Sequence, residues 1–330
     1  MIGKLTKRAK AATTTTPTIT PDPRFTFKGH IGHVNAVAVF PDGRRMATAS
    51  DDKTIRLWNL EDSVVLKKME GHGGQVQAVA ISGDGQLIAS GDVYGELIAW
   101  HGETGKSLTK PIKGHSSRIR SLDFSPDGAV LATGSYDGRT KLWSTKTWME
   151  QGNPIISTAK VNCVRFSPSG ELLAVAAENG IEIWDPCTRQ CIAELNVNSS
   201  NFSLVWTPDG RRLLSVGSIY NSQIREWNTS TWQQVGYPWN ARQINALAVN
   251  STGTLLVSAS YSNHVHLWQL SDRRTVALFK CQPTHCVTFS MDGKRIFSGG
   301  RNNGISDWVV PEDASPLEAP KKQVSEVALY

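Results

Sequence analysis

The residues best suited to chemistry in this chain are His30, Ser50 and Asp52, and the same three types recur as His115, Ser135 and Asp137. Serine, imidazole and carboxylate are the parts of a nucleophilic hydrolase, in which the base takes the hydroxyl proton and the acid orients the base. Such a nucleophile must be exposed and must face donors for the oxyanion that develops. A set that occurs twice, each time followed by a tryptophan (Trp58 and Trp143), reads as architecture instead. His264 and His266 share one strand face but make only two metal ligands without a third. Gly71-His72-Gly73-Gly74 opens no helix and so makes no phosphate cradle. Glu226 and Asp307 stand directly before tryptophans, where other repeats mostly place Leu, Ile or Ala. A carboxylate at such a place must be paired or protonated, and a rim salt bridge is the expected arrangement. No catalytic residue, cofactor or metal is expected, and the chain is read as a non-enzyme.

The elements that hold these residues follow from a repeat. Trp58, Trp100, Trp143, Trp184, Trp227, Trp268 and Trp308 are spaced 40 to 43 residues apart. A period of that size marks units that cannot bury a core alone and stack on their neighbours. The third unit reads as a strand (IRSLDF), a Ser-Pro-Asp-Gly turn, a second strand (AVLATGS), a Tyr-Asp-Gly turn and a third strand (RTKLW). Asp-Gly tolerates the positive φ of hairpin turns. A polar outer strand then leads into the next unit. The apolar spacing of the first strand skips one position against strict alternation, which predicts a β-bulge that re-aims one side chain. Four strands per unit and seven units predict an all-β, seven-bladed β-propeller of four-stranded antiparallel blades over 24–310.

Gly29-His30, Gly71-His72 and Gly114-His115, each followed by a turn ending in Asp-Gly and then a Trp, resemble the WD-repeat family. Only Trp184-Asp185 keeps the dipeptide that names it. The resemblance implies that His30, Ser50, Asp52 and Trp58 form a buried hydrogen-bond chain, with His115, Ser135, Asp137 and Trp143 as its counterpart. The second unit has Tyr94 where the Asp should be, the fourth has Glu178 and no matching His, and the last three have Asn221, Ser262 and Asn302. Units one and three are therefore expected to be the stiffest. The resemblance also implies that Arg24–Lys28 completes the seventh blade and closes the ring.

For function, the family pattern puts the bulge on Asn35, Gln77, Arg120, Asn162, Phe202, Asn245 and His285. It puts the residue before the turn Asp on Asp51, Val93, Tyr136, Ala177, Tyr220, Tyr261 and Arg301. Tyr, Phe and Arg dominate interface energetics. The expected protein-binding residues are Asn35, Asp51, Gln77, Arg120, Tyr136, Phe202, Tyr220, Tyr261, His285 and Arg301. Pro111-Ile112, Pro154-Ile155 and Pro238-Trp239 share a Pro–apolar step near the outer strand. That step is similar to the WD repeats attached to fungal NACHT-type signalling ATPases, whose propellers act as sensors or scaffolds. No nucleotide-binding module precedes the propeller in this sequence, so such a role is expected to work in trans or to have been lost.

The ends differ from the array. Residues 1–23 are basic and then Thr/Pro-rich, and 311–330 are Pro-rich and charged, so both are expected to be loosely ordered tails. Of the net charge of +6, residues 1–21 carry +4 and 311–330 carry −2, leaving +4 on the array. So thin a surplus is weak footing for nucleic-acid binding. No apolar run is long enough to span a membrane, and no signal-peptide core follows Met1. Five cysteines without a C-x-x-C pair suit reduced thiols in the cytoplasm, with Lys7-Arg8-Ala9-Lys10 allowing a nuclear alternative. The reading is a non-catalytic scaffold for a protein or peptide partner, with no small-molecule substrate. The alternative is a ribonucleoprotein or chromatin subunit anchored by the basic tail.

Overall fold

The computed structural model describes residues 18–20, 22–195, 197, 200–217, 222–241 and 243–314. Seven antiparallel sheets follow one another along the chain, each four-stranded in sequence order except where the ends join. Blade one shows the pattern, with strands Val34–Val39, Arg45–Ser50, Ile55–Asn59 and Val65–Met69 from the channel outward. Its first turn, Pro41-Asp42-Gly43, works because Gly43 takes φ 67° and the Asp42 carboxylate accepts the Arg44 and Arg45 amides. The other six blades close the same turn with a left-handed glycine, from Gly85 to Gly293. Among the described residues there is no α-helix, only one 3-10 turn at Glu312–Ala314.

Blade seven is built from both ends of the chain. Phe25–Lys28 pairs antiparallel with Gly304–Val309, with Phe27 opposite Ile305. Phe27 is fully buried and meets Trp58 and Phe297 edge-on at 5.7 and 6.1 Å. One cluster therefore binds blade seven to blade one. Part of the presumed N-terminal tail departs from expectation. Thr18–Thr20 runs parallel to Thr275–Lys280 as a fifth strand of blade six, because that long edge still offers unpaired backbone groups. At the other end Ala314 is buried against the core of blades six and seven. Lys7–Lys10 and residues 315–330 lie outside the described residues.

The outer strands come in two kinds. Blades one, four and six end in strands of five or six residues, whereas blades two, three and five end in Ile112–Lys113, Ile155–Ile156 and Trp239–Asn240. Each of these short strands follows the proline noted above, which cannot donate to the ladder. One isolated bridge (Trp100 to Ser107, Trp143 to Glu150, Trp227 to Gln234) holds the rest of each segment.

Candidate functional site

The register of every innermost strand slips by one residue at its second position. The slips fall at Asn35, Gln77, Arg120, Asn162, Phe202, Asn245 and His285. The extra residue turns its side chain toward one end of the ring, and all of these except Phe202 line the narrow axial channel. Asn162 and Asn245 are buried and donate through Nδ2 to the Asn201 and Thr284 carbonyls at 2.8 Å, leaving their Oδ1 atoms without a partner. Arg120 forms no hydrogen bond or ion pair among the described residues. Deeper in the wall, burial pushes the Asp123 carboxyl up to about 6, although Arg165 and the Phe166 amide pull the other way.

Around this mouth stand the residues that open the second turn. Asp51 receives Asn35 Nδ2 at 2.7 Å and Gln77 Nε2 at 3.4 Å. Tyr136 lies under two cations, Arg118 at 5.2 Å and Lys160 at 5.5 Å from its ring centre. Tyr261 has the His285 ring at 5.5 Å and the Arg301 guanidinium at 5.9 Å. His285 is pushed down to about 4 by burial first and then by Arg120, His33 and Arg301, so at neutral pH it is an uncharged aromatic wall. Phe202 is half-buried at the same end. Tyr220 lies outside the described residues. Ala177 does not belong to this set. It is fully buried in Leu173–Ala177, opposite Val161, because the turn of blade four is shorter. Glu178, whose amide bonds Lys160 O as Asp51 N bonds His33 O, holds the rim place.

The Ser-His-Asp sets are buried inside blades, and their hydroxyl is not the expected one. His30 Nδ1 meets Asp52 at 2.7 Å, and His30 Nε2 meets Thr48 Oγ1 at 2.8 Å. Trp58 Nε1 donates to that same Thr48 oxygen at 2.8 Å. Ser50 is two residues too far along the strand and instead accepts the Asp52 amide. Blade three corrects in the same way: Thr133 joins His115 (2.7 Å) to Trp143 (3.0 Å), while Ser135 accepts the Asp137 amide. The carboxylate can only accept, so Nδ1 carries the proton toward it; Nε2 of the neutral ring then accepts from the threonine hydroxyl, which itself accepts the indole N–H. Each of these hydroxyls is buried and tied into the blade's own hydrogen bonds, which is a structural arrangement.

Blade two also departs from expectation. Ser90 joins His72 (2.7 Å) to Trp100 (2.8 Å), and Asp92 supplies the carboxylate 3.3 Å from His72 Nδ1. Asp92 comes from the strand place that Ser50 occupies in blade one, so a carboxylate still faces His72 despite Tyr94, though at a longer distance than in blades one and three. Burial tends to raise Asp52 and Asp137, but hydrogen bonds and charge from His30 and His115 outweigh it. Asp52 is held well below the usual carboxylate range, and Asp137 falls to about 2.

The remaining candidates are structural. His266 stacks on Trp268 at 5.4 Å and is pushed down to about 4 by burial and by His264. No group of three metal-ligating side chains forms among the described residues. Glu226 bridges Arg212 (3.0 Å) and Arg273 (2.9 Å) at the rim. Asp307 pairs with Arg295 at 2.6 Å but is fully buried.

The family profile described as WD domain, G-beta repeat matches residues 21–59, 63–101, 105–144, 152–185 and 234–269, more than half of the chain. The chain belongs to the WD40 family. The structure adds the two blades that the profile leaves unmatched, five and seven. Among similar proteins, the transcriptional corepressor LEUNIG_HOMOLOG of Arabidopsis thaliana is 30% identical over 113 residues, 34% of this chain and 14% of that protein. WD repeat-containing protein AAC3 of Dictyostelium discoideum is 28% identical over 158 residues, 45% of this chain and 33% of that protein. Periodic tryptophan protein 2 homolog of Caenorhabditis elegans is 23% identical over 176 residues, 52% of this chain and 19% of that protein. This WD40 chain thus spans a third or less of the length of these curated relatives.

Proposed function

We propose that this WD40 propeller is a non-catalytic scaffold that grips an acidic segment of a partner protein across the channel mouth. The observation that carries the reading is Arg120, a half-buried guanidinium without a partner among the described residues, set among aromatic faces that already attract cations. Rigid aromatics and arginine offer contact area at low entropic cost. Arg118, Arg120, Lys160 and Arg301 outnumber the rim carboxylates Asp51 and Glu178, so an acidic segment is the complementary ligand. The matches to WD-repeat proteins support a scaffold. The Pro–apolar steps of blades two, three and five support the finer likeness to fungal NACHT-type propellers, and with it a sensing role.

The test is affinity purification with wild type and with a Tyr136/Tyr220/Tyr261 triple alanine variant, followed by binding of the recovered partner's acidic peptides. Loss of two or three aromatic anchors should weaken binding by roughly tenfold or more. Equal recovery by the two baits would sink the reading. Removing residues 1–21 separates it from a tail-anchored ribonucleoprotein or chromatin role, in which retention collapses with salt and with that deletion.

A further inference from the structure

At the end of the ring away from the channel mouth described above, the turn between the third and fourth strands of blades three to six reaches toward the cleft shared with the preceding blade. In blades three to six the reaching residue is Trp148, Arg189, Trp232 and Arg273, all with positive φ between 55° and 62°. Their equivalence is fixed by one backbone bond, in which each amide donates to the carbonyl four residues earlier. Trp148 packs against the buried core shared by blades two and three, and Trp232 against that of blades four and five with the Trp206 ring at 6.1 Å, so these tryptophans occupy the clefts between their blades. The arginines do not fill theirs.

The two arginines differ in one partner. Arg273 donates to Tyr237 O, Val235 O and the Glu226 carboxylate at 2.7 to 2.9 Å. Among the described residues Arg189 donates only to Gln151 O, the counterpart of Val235 O, and its Nη1 is closed off without an acceptor. The place of Glu226 is taken by Leu142: Gln151 N bonds Leu142 O just as Val235 N bonds Glu226 O. Beside Leu142 and Arg189 opens a cleft of about 610 Å³, walled by Pro126, Val130, Phe166 and Pro186. The corresponding cleft at Glu226 and blade six is smaller, about 410 Å³.

We propose that the cleft between blades three and four binds an amphipathic monocarboxylate, its apolar body against Leu142, Val130 and Phe166 and its carboxylate on Arg189. The ligand would supply the anion that Glu226 supplies to Arg273. The volume is that of an ordinary small-molecule site, mostly apolar, with Arg189 as its one cationic side chain. Glu171 and Asp127 at the lip disfavour multiply charged ligands. Glu150 is near enough to influence Arg189, but its carboxylate is bound to Lys141 Nζ at 2.7 Å. Binding requires the guanidinium to turn its Nη1 edge out of the wall, the single adjustment asked of the protein.

The experiment uses the full chain with decanoate and decan-1-ol as paired probes, read by calorimetry. A charge-assisted contact should make decanoate bind about tenfold tighter than the alcohol. Arg189→Met should abolish that preference, and Leu142→Glu, which provides the carboxylate in the chain itself, should abolish decanoate binding. A readout free of mutation is maleimide labelling: decanoate should protect Cys187, which lines the cleft, and leave exposed Cys191 reactive. Equal affinity for acid and alcohol, an undiminished preference in Arg189→Met, or unprotected Cys187 at saturating decanoate would each overturn the proposal.

Discussion

Blades one to three and blades four to seven solve the same problem with different parts. All seven carry a tryptophan whose indole N–H is removed from bulk water and must find an acceptor. In the first three, a Thr or Ser hydroxyl takes it and passes its own proton to a histidine that ends on a carboxylate. In blades five, six and seven, Ser215, Ser258 and Ser298 take the indole at 2.9 to 3.0 Å, with no histidine behind them. In blade four the strand place holds Val175, and Glu182 accepts from Trp184 at 3.0 Å and from Ser157 at 2.9 Å. The comparison teaches that the indole acceptor is the part a blade cannot omit. The His–carboxylate arm is an addition that ties the loop entering the blade to its second turn.

The largest effect should come from removing the shared hydroxyl. Thr133→Val leaves both the Trp143 N–H and His115 Nε2 buried and unpaired, at about 1–3 kcal/mol for each stranded group. Ser258→Ala strands only the Trp268 N–H, so its cost should be roughly half as large. Urea melts of the two variants check the difference. Equal losses would mean that the histidine arm adds nothing, and the contrast between the two halves of the ring would dissolve.

Acid should release the His–carboxylate arms that only the first three blades carry. Asp137 has a folded pKa of about 2 against an ordinary value of 3.8. A carboxylate depressed in the folded state stabilises above its unfolded pKa, and that contribution is lost as pH falls through the folded value. Asp137→Asn should therefore lose roughly 2 kcal/mol at pH 7, and the gap to wild type should close between about pH 4 and 2. Melting the pair across that range checks the sign; a gap constant with pH would show that the carboxylate acts as a neutral hydrogen-bond acceptor.

Much of this was legible in the chain before any coordinates. The tryptophan period set the blade number and the skipped apolar position announced a bulge, while the family resemblance placed the bulges at Asn35 through His285 and the closing strand at Arg24–Lys28. The main misreadings came from steps of two residues along one strand face. Ser50 and Thr48 both lie in one strand, and only the pairing of Thr48 with Arg56 places its hydroxyl within reach of Trp58. A strand has period two, so residues two apart share a face and the sequence cannot choose between them. Asp92 was missed for the same reason, because its side chain replaces an acid two positions later. Ala177 was displaced by a turn whose length no motif signals. The Arg189 cleft needed knowledge of which residue faces it from the neighbouring blade, which no single repeat contains.

The smallest predicted effect is the most direct check on that correction. Ser50 is fully buried, yet its oxygen only receives the Asp52 amide at 3.2 Å, a long bond inside a turn that Asp52 Oδ1 also holds through Thr54. Ser50→Ala should therefore cost about 0.5–1.5 kcal/mol, the net worth of one ordinary hydrogen bond. Thr48→Val should cost more than that, because two buried groups lose their partner together. If Ser50→Ala were the costlier change, the hydroxyl serving Trp58 in solution would be Ser50. The histidine arm would then run along a different register from the one described, and the distinction between the two halves of the ring would have to be redrawn from the turn outward.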